Sequence, residues 1–265
     1  MRATGSMTEP KPSPAVAEHD DWDRHWDEFA TESASNPAVA YRARLLTRLL
    51  GDAGAPERLL DVGVGVGDFL ELAARTWPSA GLAGVDISEA GVRIAAQRVP
   101  GATMLAVDLT ADAPTPVELD GWASAAVCSE VLEHVDQPVA LLRNASRLMA
   151  PGCRLVVTVP SGPMSAFDRH IGHRRHYTAE LLSSQLAEGG FVVDEVLRAG
   201  FPFFNLYRAA VRARGESLVA DAGGDDAAPS ASVRAGMAVF GVLFRLNLTR
   251  SPWGGQLAAT ARPRG

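Results

Sequence analysis

The sequence predicts an α/β fold, a mostly parallel sheet with helices on both faces, on three observations. Residues 59–62 are an apolar run behind a polar, proline-containing loop and read as a buried strand, while residues 68–75 read as the first turns of a helix. From residue 82 to residue 197, short apolar runs alternate with helical patterns, which is the signature of parallel strands joined by crossover helices. A chain of 265 residues that is 47% apolar is long enough for one large domain with appendages.

Taken in order, residues 1–20 are rich in Pro, Ala and charge and are expected to be a disordered tail, with residues 1–6 reading as an expression remnant before Met7. Trp22, Trp26 and Phe29 recur at helical spacing, so residues 21–30 read as an amphipathic helix. Asn36-Pro37 is a start signal for a second helix that runs to about Leu50, with Gly51 at its end. Residues 21–52 together form an expected N-terminal helical cover, and residues 53–200 the core. Within the core, strands are expected at 59–62, 82–87, 104–107, 122–129, 154–159 and 191–197. Helices are expected at 90–98, at 137–149 with Pro151-Gly152 ending it, and from the Thr178 cap to Gly189-Gly190. Residues 201–250 differ in character: an aromatic run from Phe201, a Gly/Ala/Asp/Ser stretch at 215–232 expected to be a mobile loop, and an apolar helix at 235–248. Residues 255–261 alternate and read as a last strand within a 251–265 terminus.

The turn between the first strand and its helix carries Gly63, Gly65 and Gly67, residues that tolerate positive φ and let a ligand approach the backbone. The dinucleotide pattern G-x-G-x-x-G is absent, because its third glycine would fall on Asp68 or Leu70. What stands there is acidic-x-G-x-G-x-G with Asp61 in front. That resembles motif I of the class I S-adenosylmethionine (SAM)-dependent methyltransferases. The resemblance implies a Rossmann-like seven-stranded sheet whose last strand inserts antiparallel next to the sixth, with the helical insertion before it roofing the active site. It implies SAM as cofactor, held by Asp61, Gly63, Gly65, Gly67 and Ser129. Asp86 with Ile87 would lie at the ribose, and Asp108 with Leu109 at the adenine. Arg42 would meet the methionine carboxylate. Alternatives stand beside these roles: a helix cap for Asp86, a loop cap for Asp108 and a solvated Arg42. The acidic residue usual just before the fourth strand's core is replaced by Ala123 and Ser124.

Two stretches follow strands whose C-terminal ends should face a ligand crevice. In Cys128-Ser-Glu-Val-Leu-Glu-His-Val135, Glu130, Glu133 and His134 share one face if the segment turns helically. The stretch from Asp168 to Thr178 holds His170, His173, His176, Arg174, Arg175 and Tyr177. Glu-Val-x-Glu-His followed by Gly-His-x-x-x-Tyr-Thr looks like the ubiquinone-biosynthesis O-methyltransferase type, and like related quinone, glycan and antibiotic methyltransferases. The resemblance spans roughly residues 21–261 and is strongest over 59–159. It points to methyl transfer to a small-molecule hydroxyl, with His134 and His173 as candidate bases; a positioned base contributes roughly 10²–10⁴-fold. Glu130, Glu133, Arg174 and Tyr177 are the candidate substrate-binding residues, and Arg174 and Arg175 suit an acidic group. No metal site is assigned outright. Glu130, Glu133, His134 and His173 form an acid–acid–imidazole–imidazole set like one that holds a divalent ion in small-RNA 2′-O-methyltransferases and some quinone enzymes. Carbon as acceptor, and SAM binding without methyl transfer, are the alternatives. The Asn-Pro-Pro-Tyr signature of many amino-group methyltransferases is missing after the fourth strand.

A net charge of −6 argues against a nucleic-acid partner. The first twenty residues lack an apolar core, and Cys128 and Cys153 sit in strand-like runs, so the expectation is a cytoplasmic protein with reduced thiols. The run at 235–248 is too short for a bilayer span; it is read as a lid, or as a face for a homodimer.

Overall fold

The computed structural model describes residues 22, 23, 26, 36–111, 116–214 and 231–264. The expected tail and most of the expected mobile loop at 215–232 lie outside the described residues, as does most of the helix expected at 21–30, of which Trp22, Asp23 and Trp26 are helical.

The strands are β1 (Arg58–Val62), β2 (Gly81–Asp86), β3 (Thr103–Ala106), β4 (Ala123–Ser129), β5 (Met149–Pro160), β6 (Phe191–Ala199) and β7 (Gln256–Pro263). They form one sheet in the order β3-β2-β1-β4-β5-β7-β6. The pairs from β3 to β5 are parallel. β7 runs antiparallel between β5 and β6, as the resemblance implied. Strand order reverses between β1 and β4, and in open α/β sheets ligands bind in the crevice beyond the carboxyl ends of strands at such a reversal.

The helices are α1 (Pro37–Gly51), α2 (Asp68–Thr76), α3 (Glu89–Arg98), α4 (Pro138–Arg147), α5 (Ala166–His170), α6 (Ala179–Glu188), α7 (Phe203–Ala213) and α8 (Ala231–Leu243). Their starts are legible in side chains. Asn36 accepts from the Ala38 N–H ahead of Pro37, Ser88 from Gly91, and Thr178 from Leu181. Ser165 and Asp168 close a reciprocal capping box on α5.

Each face of the sheet is covered by helices. Leu45, Leu46, Leu49 and Leu50 of α1 join Phe69, Leu70 and Ala95 on one face. Leu141 and Leu142 of α4 join Leu182 and Leu186 of α6 on the other. Each buried leucine stabilises the fold by roughly 1.5–3 kcal/mol relative to an exposed one. Arg98 fastens α3 to α2 and the turn before it: it pairs with Asp68 (2.7 Å) and Glu71 (2.6 Å) and donates to the Val66 carbonyl (3.0 Å).

One expectation is corrected. Pro151-Gly152 does not follow the end of a helix: α4 stops at Arg147, and both residues lie within β5, whose pairing shifts between Ala123↔Met149 and Ala125↔Arg154. A bulged strand tolerates a missing N–H and a positive φ, and Gly152 has φ 79°. The aromatic run after β6 is α7, whose Phe204 packs with Phe244, Ala38 and Tyr41, so the insertion rests on α1. Val239 and Val242 of α8 are exposed. Among the described residues no helix is long and apolar enough to cross a membrane.

Candidate active site

β1 ends at Val62, and the chain turns through Gly63 (φ 79°), Gly65 (φ 51°) and Gly67 (φ 82°) into α2. A Cβ on Gly63 would lie 2.2 Å from Val131 Cγ2, so this glycine lets the segment after β4 pack directly on the turn. The Gly65 N–H donates to Asp86 Oδ2 (2.8 Å), and the Ser88 N–H to Asp86 Oδ1 (2.9 Å). Asp86 therefore ties the glycine turn to the end of β2, and Ser88 rather than Asp86 caps α3. Desolvation holds the Asp86 carboxyl above its usual range despite these N–H donors. Asp61 is buried and is pushed well above that range, chiefly by desolvation and then by Asp86 and Asp68.

Beside this turn Ile87 is 54% exposed, leaving bare apolar surface next to Asp86, while Leu109 is buried. Asp108 Oδ1 accepts from the Thr110 N–H (2.8 Å) and hydroxyl (2.6 Å), so one of its oxygens serves the loop. The Ser129 hydroxyl is engaged with Thr158 Oγ1 (2.7 Å). The N-terminal segment reaches the same place. A Cβ on Gly65 would come within 2.8 Å of the Trp26 ring. Asp23 accepts from the Ser88 hydroxyl (2.6 Å) and the Ala90 N–H (3.0 Å), and Trp22 meets His134 edge-on at 4.9 Å.

The segment after β4 turns at Glu130, which has φ 57°, a left-handed conformation that non-glycine residues adopt mainly where the surroundings hold them there. Glu130 accepts from Gln256 Nε2 (2.9 Å) and lies 3.7 Å from Arg42 Nη1. Glu133 is fully buried and neither carboxyl oxygen has a hydrogen-bond partner. Burial, and next the charge of Glu130, drive its pKa well above the carboxylate range.

His134, His173 and His176 form a ladder. The His134 and His173 rings meet edge-on at 4.6 Å, and His173 Nδ1 lies 3.0 Å from His176 Nε2. His176 Nδ1 lies 3.0 Å from the Gly162 carbonyl oxygen. A carbonyl only accepts, so His176 Nδ1 carries the proton and, in the neutral ring, its Nε2 accepts from His173 Nδ1–H. The lone pair of His173 then resides on Nε2. Burial lowers the pKa of His173 to about 4 and that of His176 below its usual value, so both rings are neutral at pH 7. Glu133, His134 and His173 each bring a ligand atom within 4.8 Å of one another, as do Asp168, His173 and His176. Glu130, held by Gln256, stands outside both groups.

Two expected substrate contacts have partners within the protein. Tyr177 is buried, with its hydroxyl within 3.1 Å of the Leu132 carbonyl and 2.9 Å of Gln185 Oε1, so it supports the site from beneath. Arg174 pairs with Asp136 and donates to the His134 carbonyl, fixing the two loops to each other. The sequence reading did not single out Gln256, Arg208 or Arg212, which the fold brings to the same end of the sheet.

A family profile described as "Methyltransferase domain" matches residues 35–196. The chain is 30% identical over 168 residues to a trans-aconitate 2-methyltransferase of Methylobacterium nodulans, covering 62% of this chain and 60% of that one. It is 31% identical over 147 residues to a ubiquinone biosynthesis O-methyltransferase of Xanthomonas oryzae pv. oryzae, covering 54% and 59%. The chain thus spans about three fifths of the length of these curated relatives. Among solved structures, the phosphoethanolamine N-methyltransferase 2 of Haemonchus contortus in complex with SAM superposes with a TM-score of 0.63 at 17% identity, over 97% of this chain and 62% of that one. Profile, relatives and sheet order agree with the glycine turn: the chain belongs to the methyltransferase-domain family, with the fold of the class I SAM-dependent methyltransferases.

Proposed function

We propose that this protein catalyses SAM-dependent methyl transfer to a hydroxyl of a small molecule. The observation that carries this reading is the contact of Val131 with Gly63, which seats the Glu130–His134 segment directly on the glycine turn. Asp86, Ile87, Asp61 and the three glycines fit the cofactor: a carboxylate tied to the turn, exposed apolar surface beside it, and backbone that a ligand can approach. SAM supplies an already activated methyl group on a sulfonium centre. The protein's work is then to orient the acceptor and to take its proton. His173 is the proton acceptor in this reading, because the Gly162–His176–His173 chain leaves its Nε2 lone pair unprotonated. In this reading Trp26, packed on Gly65, and Trp22, edge-on to His134, shield the crevice from water. Arg42, 3.7 Å from Glu130, meets the methionine carboxylate in this reading.

A second reading of the same site has a divalent ion held by Glu133, His134 and His173, favoured by the buried Glu133 carboxyl that has no hydrogen-bond partner. Such an ion would lower the pKa of a bound hydroxyl. Neutral imidazole and carboxylate donors suit Mn, Fe, Co or Zn.

The deciding assay incubates the protein with methyl-labelled SAM and a panel of aromatic and aliphatic hydroxyl compounds, and locates the label by mass spectrometry. Label on oxygen, lost in His173→Ala, is the expected result; label on carbon would transfer the assignment to C-methylation, and no product despite bound cofactor would reduce it to binding alone. Exhaustive chelation abolishes activity only under the second reading.

A further inference from the structure

α7 carries Arg208 and Arg212 four residues apart, so the two side chains share one face of the helix. Like charges at this spacing repel and destabilise an isolated helix. Here they converge. Arg208 Nη1 donates to the carbonyls of Ser161 (2.8 Å) and Gly255 (2.7 Å), and Arg212 Nη2 lies 3.4 Å from the same Ser161 oxygen. Among the described residues neither guanidinium has a carboxylate partner in ion-pair range. The nearest candidates are committed elsewhere: Glu130 to Gln256 and Arg42, and Asp168 to the Ser165 N–H (2.6 Å) and hydroxyl (2.8 Å). Arg212 Nε is buried without a hydrogen-bond partner. Desolvation, and next Arg212, lowers the pKa of Arg208, which is the cost of gathering two cations away from water.

The pair sits beside the histidine ladder. A Cβ on Gly162 would lie 3.2 Å from Arg212 Nη2, and the Gly162 carbonyl is the group that orients His176. Two guanidinium forks, short of acceptors and lacking a counter-charge, match the oxygens of a carboxylate or phosphate. We infer that Arg208 and Arg212 form an anion subsite that binds an acidic group of the methyl acceptor and turns its hydroxyl toward His173. The word acceptor rests on the proposed methyl transfer; the anion subsite itself rests on the arginine pair.

The test uses the full chain saturated with S-adenosylhomocysteine, titrated by calorimetry with inorganic phosphate in one arm and tricarballylate, a tricarboxylate, in the other. At least one of the two is expected to bind, and the arm that responds identifies phosphate or carboxylate chemistry. Arg212→Gln should weaken that binding about tenfold or more, as expected for loss of a charge-assisted pair, without changing the affinity for S-adenosylhomocysteine. Arg262→Gln, which removes an exposed pair with Asp194 far from the crevice, is the control and should bind as the parent does. Arg208→Lys is the second variant, since Arg208→Gln also takes the guanidinium donor from the Ser161 and Gly255 carbonyls. It keeps the charge but not the fork, and weaker anion binding in a folded protein is expected. Binding of neither anion, or affinity unchanged in both Arg212→Gln and Arg208→Lys, overturns the inference while leaving methyl transfer standing. Failure to bind S-adenosylhomocysteine at all would instead remove the proposed function.

Discussion

Glu133→Gln should make the protein more stable, and the pH dependence of the gain follows from the structure. The carboxyl is fully buried with no donor to either oxygen, and burial holds its pKa well above the usual carboxylate range. Below the unfolded-state value both the folded and the unfolded chain carry the proton, and the contribution to stability is fully present. As pH rises past that value the unfolded chain releases its proton while the folded chain keeps it. Stability then falls by about 1.4 kcal/mol per pH unit until the folded carboxyl itself ionises. Glutamine has nearly the same shape and no titrating proton. The advantage of the variant over the parent should therefore grow by about 1.4 kcal/mol between pH 5 and pH 6, a shift of roughly 3–6 °C in midpoint for a domain of this size. Urea denaturation of chelator-treated protein at half-unit pH steps measures it, and Asp61 and Asp86 cancel because both proteins contain them. A difference that stays flat with pH would refute the reasoning, since it would mean that Glu133 titrates alike in both states. Methyl transfer should fall in the same variant under the ion-holding reading of the site and persist under the first.

Asp86→Ala removes the acceptor of the Gly65 and Ser88 N–H groups, and calorimetry with S-adenosylhomocysteine should show about a hundredfold loss of affinity, roughly 2.7 kcal/mol; undiminished binding would exclude Asp86 from the cofactor site. Gly65→Ala places a methyl group 2.8 Å from the Trp26 ring at φ 51°. It should cost about 1–2 kcal/mol of stability and weaken cofactor binding, as read by urea denaturation and calorimetry. Tyr177→Phe leaves the Leu132 carbonyl without its buried donor and should cost about 1–3 kcal/mol with kcat and KM unchanged; a raised KM in a fully folded variant would return Tyr177 to the substrate.

The parts of this fold that sequence made legible are those written in local patterns. The acidic-x-G-x-G-x-G turn, the Asn36, Ser88 and Thr178 caps and the alternation of strands with helices are each set by residues within a few positions of one another, and the structure carries them. β5 was harder to read. Pro151 and Gly152 ordinarily punctuate, and only the shifted pairing with β4 shows that a strand passes through them. Side-chain direction was not legible either. Tyr177 and Arg174 belong to a stretch of suitable chemistry, yet the packing of α6 turns one into the core, and Asp136 and the His134 carbonyl engage the other. Arg208 and Arg212 lie some fifty residues beyond Ser161 and some eighty beyond Glu130; nothing in their neighbours, an aromatic amphipathic helix, announces the crevice. Their i,i+4 repetition was the one available hint.

The position of β7 constrains how the molecule is made. It is the last strand in the chain, yet it lies between β5 and β6 and supplies the ladder partner for both, from Leu155↔Ala261 on one side to Phe191↔Pro263 on the other. Until residue 263 has left the ribosome, two strands wait with bare edges and β6 has no neighbour in the sheet. The arginine-bearing insertion is already spooled out by then, so the wall of the crevice is threaded before the sheet beneath it is sewn shut. Removing β7 would therefore release β6 and the insertion together.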